Sequence, residues 1–407
     1  MTAPGGVLVP WKETCPMKQR MDFVLERRSG PMSMAALCRA FGVSRQTGYK
    51  WLARFYERKR FDDLADRSSR PHSHPATTDA RVQARIVKAR RQHPSWGPRK
   101  LRTWLKKWHP RLALPSPSTI GAILKRHGLV MPRRRARPHA PPRTQPFARC
   151  DAPNDVWCVD FKGDFLVGDG TRCWPLTIMD AYSRFLLCCR GFRRPDGKSV
   201  KRAFLDTFRR YGLPRAIRSD NGKPFCAVNA PAGLSQLAAW WVELGIKLER
   251  IDPGKPQQNG RHERMHRTLK YDAASPPARN LVAQQRAFDR FRRSYNLDRP
   301  HEAIGMVAPR ERYRPSPRRL PRRVPSFDYA LADRCFVRPD GKVRWGHRLV
   351  FLSQSLAGRV VGIEALDARY SEVRFGPVVL GVLDRDRPGV ELIRRKEEMR
   401  GKKVSAM

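Results

Sequence analysis

The sequence has little acid. Its 407 residues carry 37 Asp and Glu against 83 Lys and Arg, a formal charge of +46 at pH 7. Such an excess repels itself when left unpaired, and nucleic acid is the common partner that relieves it. Long apolar runs are also missing. No stretch of about 18 residues is apolar enough to span a membrane, so none is expected to. No signal-peptide apolar region precedes Pro10. Cysteines at metal-binding spacing are absent: the nine are scattered, none as Cys-x-x-Cys, and Cys188 and Cys189 adjoin inside an apolar run. That argues against a zinc finger or knuckle and for small buried thiols in a reducing cytoplasm.

What is present is unevenly spread. The length fits two to four domains. Residues 1–149 hold 33 basic and 8 acidic residues, 150–314 hold 30 and 18, and 315–407 hold 20 and 11. The middle third is richest in acid, so carboxylate chemistry is expected there.

Residues 34–55, "MAALCRAFGVSRQTGYKWLARF", have the pattern of a helix-turn-helix inside an all-α domain placed at 17–70. Ala36, Leu37 and Ala40 offer one apolar face, Gly42 breaks the chain, and Ser44 suits the N-cap of the next helix. From Arg45 onward, Gly48, Leu52 and Phe55 make one stripe with Trp51 beside it. Arg45, Gln46, Tyr49 and Lys50 point the other way, where a recognition helix reads base edges. An ordinary helical hairpin with a solvated basic face has the same pattern. Gly48 stands out, because glycine inside a helix costs about 1 kcal/mol.

A second helical unit is placed at 76–131, as a further helix-turn-helix with a wing as an option. "RVQARIVKARRQ", "WGPRKLRTWLKK" and "SPSTIGAILKRHGLV" read as three helices, with Ser116-Pro117 as a start and Gly128 as a stop. Residues 132–153, rich in Pro and Arg, read as an extended basic linker.

Residues 154–314 change character. Strand patterns in "DVWCVDFKGDFLV" and "CWPLTIMDAYSRFLLCCRGF" precede an alternation of helices and short strands, giving β-β-β-α-β-α-β-α and a mixed α/β sheet. Residues 325–393 are strand-rich, with Asp340-Gly341 between alternating runs as a hairpin signal, and predict a small all-β barrel.

Three carboxylates in the middle domain stand out. Asp160 sits within an apolar strand pattern, where an unpartnered charge is rare. An outward edge position would explain it equally. Asp220 ends a strand at "SDNG", where α/β sheets place their sites, although a plain turn needs the same residues. Glu263 lies in "QQNGRHERMHRTLK", among cations. An i,i+4 pair with Arg267 would explain it for a few tenths of a kcal/mol. On a helical wheel of about 100° per residue, Met265 and Leu269 fall opposite Glu263, while Arg267 and Lys270 flank it. Carboxylates from a strand, a strand end and a helix suit two divalent cations about 3.5–4 Å apart, and oxygen-only ligands suit Mg²⁺ or Mn²⁺. Asp180, in "IMDAYSRF", is the rival acid and reads as a hairpin cap. Asp164 reads as a turn residue. His262 is expected to be exposed, at a helix start or against a phosphate.

"VWCVDF", "SDNGKPF", "QQNGRHERMHRTLK" and "YNLDRPHEAIGMVAPRERY" together resemble the successive signatures of bacterial insertion-sequence transposases with a retroviral-integrase-type core. The resemblance covers roughly 154–314, and the helix-turn-helix region before it also fits. It implies an RNase H-like fold, a DDE triad at Asp160, Asp220 and Glu263, and two Mg²⁺ (or Mn²⁺) ions per site. It implies cleavage at the element's terminal repeats and transfer of the 3′-hydroxyl ends to target DNA. Arg45, Gln46, Tyr49, Lys50, Arg267 and Lys270 are the expected DNA contacts. Joining two ends implies at least a dimer, in a bacterial cytoplasm alongside the nucleoid. A regulator derived from such an enzyme, or a nuclease of the same fold, are the alternatives. The sequence departs from retroviral integrases in a longer Asp220–Glu263 gap, attributed to "CAVNAPAGLSQLA", and in lacking their zinc-binding N-terminal module.

Overall fold

The computed structural model describes residues 15–68, 77–130, 149–251, 260–330, 332–386 and 392. Most of the basic linker therefore lies outside the described residues. The chain divides into two compact units, 1–77 and 78–407.

The first unit contains α1 (Pro16–Ser29), α2 (Met34–Ala40) and α3 (Arg45–Arg58). Ser33 and Ser44 cap α2 and α3 by accepting from the N–H groups of Ala36 and Thr47, each satisfying a donor with no intrahelical partner. Gly42 takes φ +65° in the turn, a conformation that favours glycine. Phe23, Leu37, Cys38, Trp51, Leu52 and Phe55 make the core. The buried face of α2 is Met34, Leu37 and Cys38, one step round from the expected one, and Ala40 is exposed. The larger side chains bury more apolar area and so set the rotation of the helix.

The second unit begins with α4 (Ala80–Gln92), α5 (Pro98–Trp108) and α6 (Pro117–Arg126), packed on Ile86, Leu101, Leu105, Ile120 and Ile123. Ser116 caps α6, and Gly128 follows it with positive φ. No strand occurs among described residues 77–130, so no wing is seen there.

The central sheet contains β1 (Val156–Phe161), a short β2 (Phe165–Leu166), β3 (Arg172–Asp180), β4 (Leu186–Phe192), β5 (Ala216–Ser219) and β6 (Lys247–Arg250). The order is β2-β3-β1-β5-β6, with β4 also on β3. β1 is antiparallel to β3 and parallel to β5. α7 (Gly197–Tyr211) and α8 (Gln236–Glu243) cover one face, through Phe204, Phe208, Trp240 and Trp241 against Trp157, Val159 and Ile217. α9 (Gly260–Ala273) and α10 (Leu281–Leu297) cover the β3–β4 part of the other, through Met265, Leu269, Phe288 and Phe291 against Met179 and Leu186. A short α11 (Pro309–Arg312) ends this region. The helical unit 80–126 docks onto it: Ser95 Oγ donates to Asp272 at 3.0 Å, and Lys107 pairs with Glu311 at 2.9 Å.

Among its described residues, the C-terminal region does not form the expected closed barrel. β7 (Asp333–Phe336), β10 (Val360–Ala365), β11 (Tyr370–Phe375) and β12 (Val378–Asp384) make an open sheet of order β12-β11-β10-β7. β8 (Lys342–Trp345) and β9 (Arg348–Phe351) pair separately. The Asp340-Gly341 turn exists, with Gly341 at φ +80°, yet the strands beside it take other partners. Pro339 offers no N–H for a ladder, Val337 bonds instead to Arg359 and Gly358, and Val337, Val343 and Val350 share one core with Val361 and Val373. Residues 234–242, which include most of α8, supply part of that core. Leu234, Ala238, Ala239 and Val242 join it, Ser355 Oγ donates to the Leu234 carbonyl at 2.6 Å, and Arg359 pairs with Glu243 at 2.7 Å.

Candidate active site

Asp160 lies on β1, one residue before its end, in the middle of the sheet. Alternation sends Trp157, Val159 and Phe161 to the α7–α8 face and Cys158 and Asp160 to the other. The edge-strand explanation for Asp160 is thereby removed. Cys158 is paired with Arg218 of β5 in the parallel register. Continuing that register by two residues puts Asp220, just past the end of β5, beside Asp160.

The turn after β5 is held from several sides. Asn221 Nδ2 donates to the Ile251 carbonyl at 2.8 Å, and the Gly222 N–H donates to Asp220 Oδ1 at 3.2 Å. A Cβ on Gly222 would lie 2.9 Å from Asp220 Oδ2, so glycine allows the backbone to approach the carboxylate. Two residues back on the same face, the buried Arg218 guanidinium donates from Nε and Nη2 to Glu249 Oε2 at 3.0 and 2.9 Å, tying β5 to β6.

Glu263 stands in the first turn of α9 and is exposed, as are Arg267 and Lys270. The buried face of α9 is His262, Met265, His266, Leu269 and Ala273. The wheel is therefore realised in its polar and apolar faces. His262 contradicts its expected exposure: it is fully buried. Its Nε2 lies 2.6 Å from Thr177 Oγ1, and His266 Nε2 lies 2.7 Å from the same oxygen. The reason is positional. His262 precedes Met265 by three and His266 by four, so it falls on the face that packs against β3.

The electrostatics single out Asp160. Its carboxyl is pushed up to about 7, first by burial and then by the negative charge of Asp220, with a smaller push from Glu263. A backbone N–H from Phe161 and the charge of Lys162 oppose the rise. Burial takes His262 down to about 3 and His266 down to about 2, the latter helped by His262 and Lys162. Both imidazoles are neutral at pH 7. Asp160 is thus held, by burial and by the carboxylates near it, where a cation would relieve its charge. Carboxylate oxygens are the donors that hard divalent ions prefer, so this donor set fits such an ion. Among the described residues, no three His, Cys, Asp or Glu side chains are drawn close enough to hold an ion as they stand.

Asp180 is fully buried and accepts from the Asn154 N–H at 2.7 Å, the Ser183 N–H at 2.8 Å and the Ser183 hydroxyl at 2.5 Å. It pairs with Trp157, three residues along β1 from Asp160, about 10 Å away at strand spacing. It caps the β3–β4 hairpin. Asp164 pairs with Arg172 between β1 and β3. In the first unit, Arg45, Gln46, Tyr49 and Lys50 are all exposed on α3, opposite buried Gly48, Trp51, Leu52 and Phe55. Thr177, His266 and Lys162 were not singled out from the sequence. A histidine four residues after another on an apolar face was the available signal for His266. Thr177 had none, because strand register is not written locally.

Two integrase core domain models match residues 151–256 and 244–309. Residues 151–309 thus match an integrase core domain. The matched span includes all three carboxylates and the whole central sheet. A helix-turn-helix domain model matches residues 19–72, and a homeodomain-like domain model matches 47–124. Two of the relatives that the chain matches come from insertion elements. It is 28% identical over 231 residues to an uncharacterized 31.7 kDa protein of insertion element IS407 from Burkholderia multivorans, covering 56% of this chain and 79% of that one. It is 27% identical over 236 residues to a 39.2 kDa protein of IS476 from Xanthomonas euvesicatoria, covering 58% and 65%. Among solved structures, the HTLV-2 integrase catalytic core domain in complex with magnesium matches at 17% identity and TM-score 0.33, covering 41% of this chain and 100% of that one. The simian T-cell lymphotropic virus intasome in complex with PP2A regulatory subunit B56 gamma matches at 16% and 0.35, covering 67% and 92%. No helix among the described residues is long and apolar enough to cross a membrane.

Proposed function

We propose that the protein is a DDE transposase that binds the terminal repeats of an insertion element, cuts at the element ends and joins the resulting 3′-hydroxyls to target DNA. The observation that carries this reading is the meeting of Asp160 and Asp220 at the carboxyl ends of the adjacent interior strands β1 and β5, with Glu263 acting on the charge of Asp160 from α9. These three carboxylates are the groups that would hold a divalent cation, Mg²⁺ or Mn²⁺, two per site. Such ions supply Lewis-acid charge that activates an attacking hydroxyl and steadies the leaving oxygen.

The chain's own residues have separate tasks. Asp160, Asp220 and Glu263 bring negative charge to the scissile phosphate and need cations there. Arg267 and Lys270, exposed beside Glu263, hold flanking phosphates. The neutral imidazoles of His262 and His266 add no competing positive charge beneath Asp160. No protein nucleophile is required: water attacks phosphorus and the 3′-oxygen leaves as a hydroxyl. That hydroxyl later attacks a target phosphodiester, forming one P–O bond as another breaks. Arg45, Gln46, Tyr49 and Lys50 read the repeat, and α4–α6 add a second DNA contact. Two ends joined at one target require at least two copies of the chain.

A duplex carrying the element's own ends, incubated with the full chain and a second DNA, tests this. With Mg²⁺ the ends should be cut to 3′-hydroxyls and joined to the second DNA, and chelation should stop both. Cutting without joining would mean a nuclease, and binding without cutting would mean a regulator.

A further inference from the structure

A polar knot lies beneath the three carboxylates, where an apolar core would do. Thr177 and His262 are fully buried and His266 is nearly so. The three join three elements. Thr177 of β3 is the direct cross-strand partner of Asp160 on β1. His262 and His266 belong to α9, one residue before and three after Glu263. The two rings meet edge to face, 4.6 Å between centroids. Beside them Met265, Leu269 and Met179 fill the same interface with apolar side chains alone. Burying polar groups costs free energy unless they are paired, so this knot is not the cheapest way to seat α9.

Its proton count is determinate. The Thr177 hydroxyl has one proton and three partners: the Asp160 carbonyl at 3.1 Å, His262 Nε2 at 2.6 Å and His266 Nε2 at 2.7 Å. A carbonyl only accepts, so the hydroxyl donates to it. Both imidazoles must then donate from Nε2 to the two lone pairs of Oγ1. Each Nδ1 is left bare. That of His262 is buried without a partner among the described residues, a cost the fold carries to keep the knot. That of His266 stands 3.8 Å from Asp160 Oδ2. A bare nitrogen gives the carboxylate no hydrogen bond, which leaves the oxygens of Asp160 for a cation.

We infer that Thr177, His262 and His266 are positioning residues, a clasp that sets the Glu263 helix against the Asp160 strand and holds the two carboxylates in register. This rests on the reading of Asp160 and Glu263 as groups of the reacting site. None of the three touches DNA or the reacting phosphorus. Their effect passes through the Asp160 carbonyl and the first turn of α9.

The test uses the full chain, with ¹⁵N-histidine labelling and Mn²⁺ as probe. In the wild type, both imidazoles should show Nε2–H tautomers with unprotonated Nδ1. Thr177→Val keeps the shape of the side chain and removes the hydroxyl. It should weaken Mn²⁺ binding and lower kcat for end cutting by about 10- to 100-fold, the range for residues that orient metal ligands, with DNA affinity unchanged. Thr177→Ser restores the hydroxyl and should recover most of both. Wild-type tautomers other than Nε2–H, or a folded Thr177→Val that binds Mn²⁺ and cuts like wild type, overturn the clasp. If Thr177→Val does not fold, the wild-type tautomers and the Thr177→Ser kinetics still decide it. A wild type that shows the tautomers but neither binds Mn²⁺ nor cuts removes the functional reading and the positioning role with it, and leaves only a structural knot.

Discussion

Asp160 and Thr177 face each other across the antiparallel β1–β3 pair, and the hydroxyl of one bonds the carbonyl of the other. The strand residue whose carboxyl burial and Asp220 push up is thus tied at its backbone, while its side chain is left to an uneven field of charge. The consequence for pH has a definite sign. The folded chain holds the proton of Asp160 more tightly than the unfolded chain does. The associated stability is fully present below the ordinary carboxylate value near 3.8 and is lost as pH rises through about 7. His262 and His266, held far below 6.5, contribute stability that is present above 6.5 and lost as pH falls. Their effect lies below the upper part of the Asp160 range.

A divalent cation should therefore stabilise the protein more as Asp160 ionises. The rise in Tm on adding Mg²⁺ should be larger at about pH 8.5 than at about pH 6.5, and Asp160→Asn should abolish the difference. Calorimetry at the two pH values measures this. Equal Mg²⁺ shifts in the wild type would mean that no cation binds at Asp160.

Gly48 should resist replacement by alanine. An added Cβ would lie 2.6 Å from Met34 Cε, 2.7 Å from Cys38 Sγ and 2.8 Å from Phe23 Cζ. Alanine gains about 1 kcal/mol of helix propensity, and overpacking costs about 1–3 kcal/mol. Gly48→Ala should be neutral to destabilising by up to about 2 kcal/mol, read as faster amide exchange in 15–68 of the full chain. Slower exchange there would show that α1 and α2 can move away.

Arg45→Ala and Gln46→Ala should reduce preference for repeat over random DNA. A direct base contact is worth about 1–3 kcal/mol of discrimination, so the affinity ratio should narrow about 5- to 150-fold. Competition binding at fixed salt decides it, and an unchanged ratio would mean that this face of α3 meets only phosphates or solvent.

Lys270→Ala and Arg267→Ala should act on affinity and its salt dependence. Removing one cation that neutralises a phosphate should lower the slope of log K against log salt by about one unit. Cutting should fall with affinity and partly recover at high DNA concentration. An unaltered slope would reduce the cationic surround of Glu263 to a solvated helix face.

Local chemistry explains which parts of the molecule were legible in the sequence. Ser44, Gly42, Ser116-Pro117 and Gly128 act within a turn of themselves, and the helices they bound are where such residues imply. The two faces of α9 followed from spacing alone. Gly48 looked like a defect until three side chains from α1 and α2 were seen closing on it. His262 was misplaced because a basic neighbourhood suggested solvent, whereas the period of the helix put it inward. The Asp340-Gly341 turn formed, but β7 before it paired with β10 and β8 after it with the next strand, β9, a choice of partner that the turn residues do not specify. Thr177 was silent for the same reason, since its role depends on which residue lies across the sheet. The end of 226–238, a segment that looked like an insertion in a gap, proves with the rest of α8 to seat the C-terminal sheet.

The most direct measurement compares Asp160→Asn, Asp220→Asn and Glu263→Gln with the wild type, following cutting, joining and DNA affinity on the same element ends in Mg²⁺. Each variant keeps the size of its side chain and removes a charge that is not buried in an ion pair. The expected result is loss of both chemical steps in all three, with DNA affinity, and Tm in the absence of Mg²⁺, close to wild type. An ion pair between Glu263 and Arg267 would be worth only a few tenths of a kcal/mol and could not account for such a loss. Near wild-type cutting by any one of the three variants would contradict the assignment of that carboxylate.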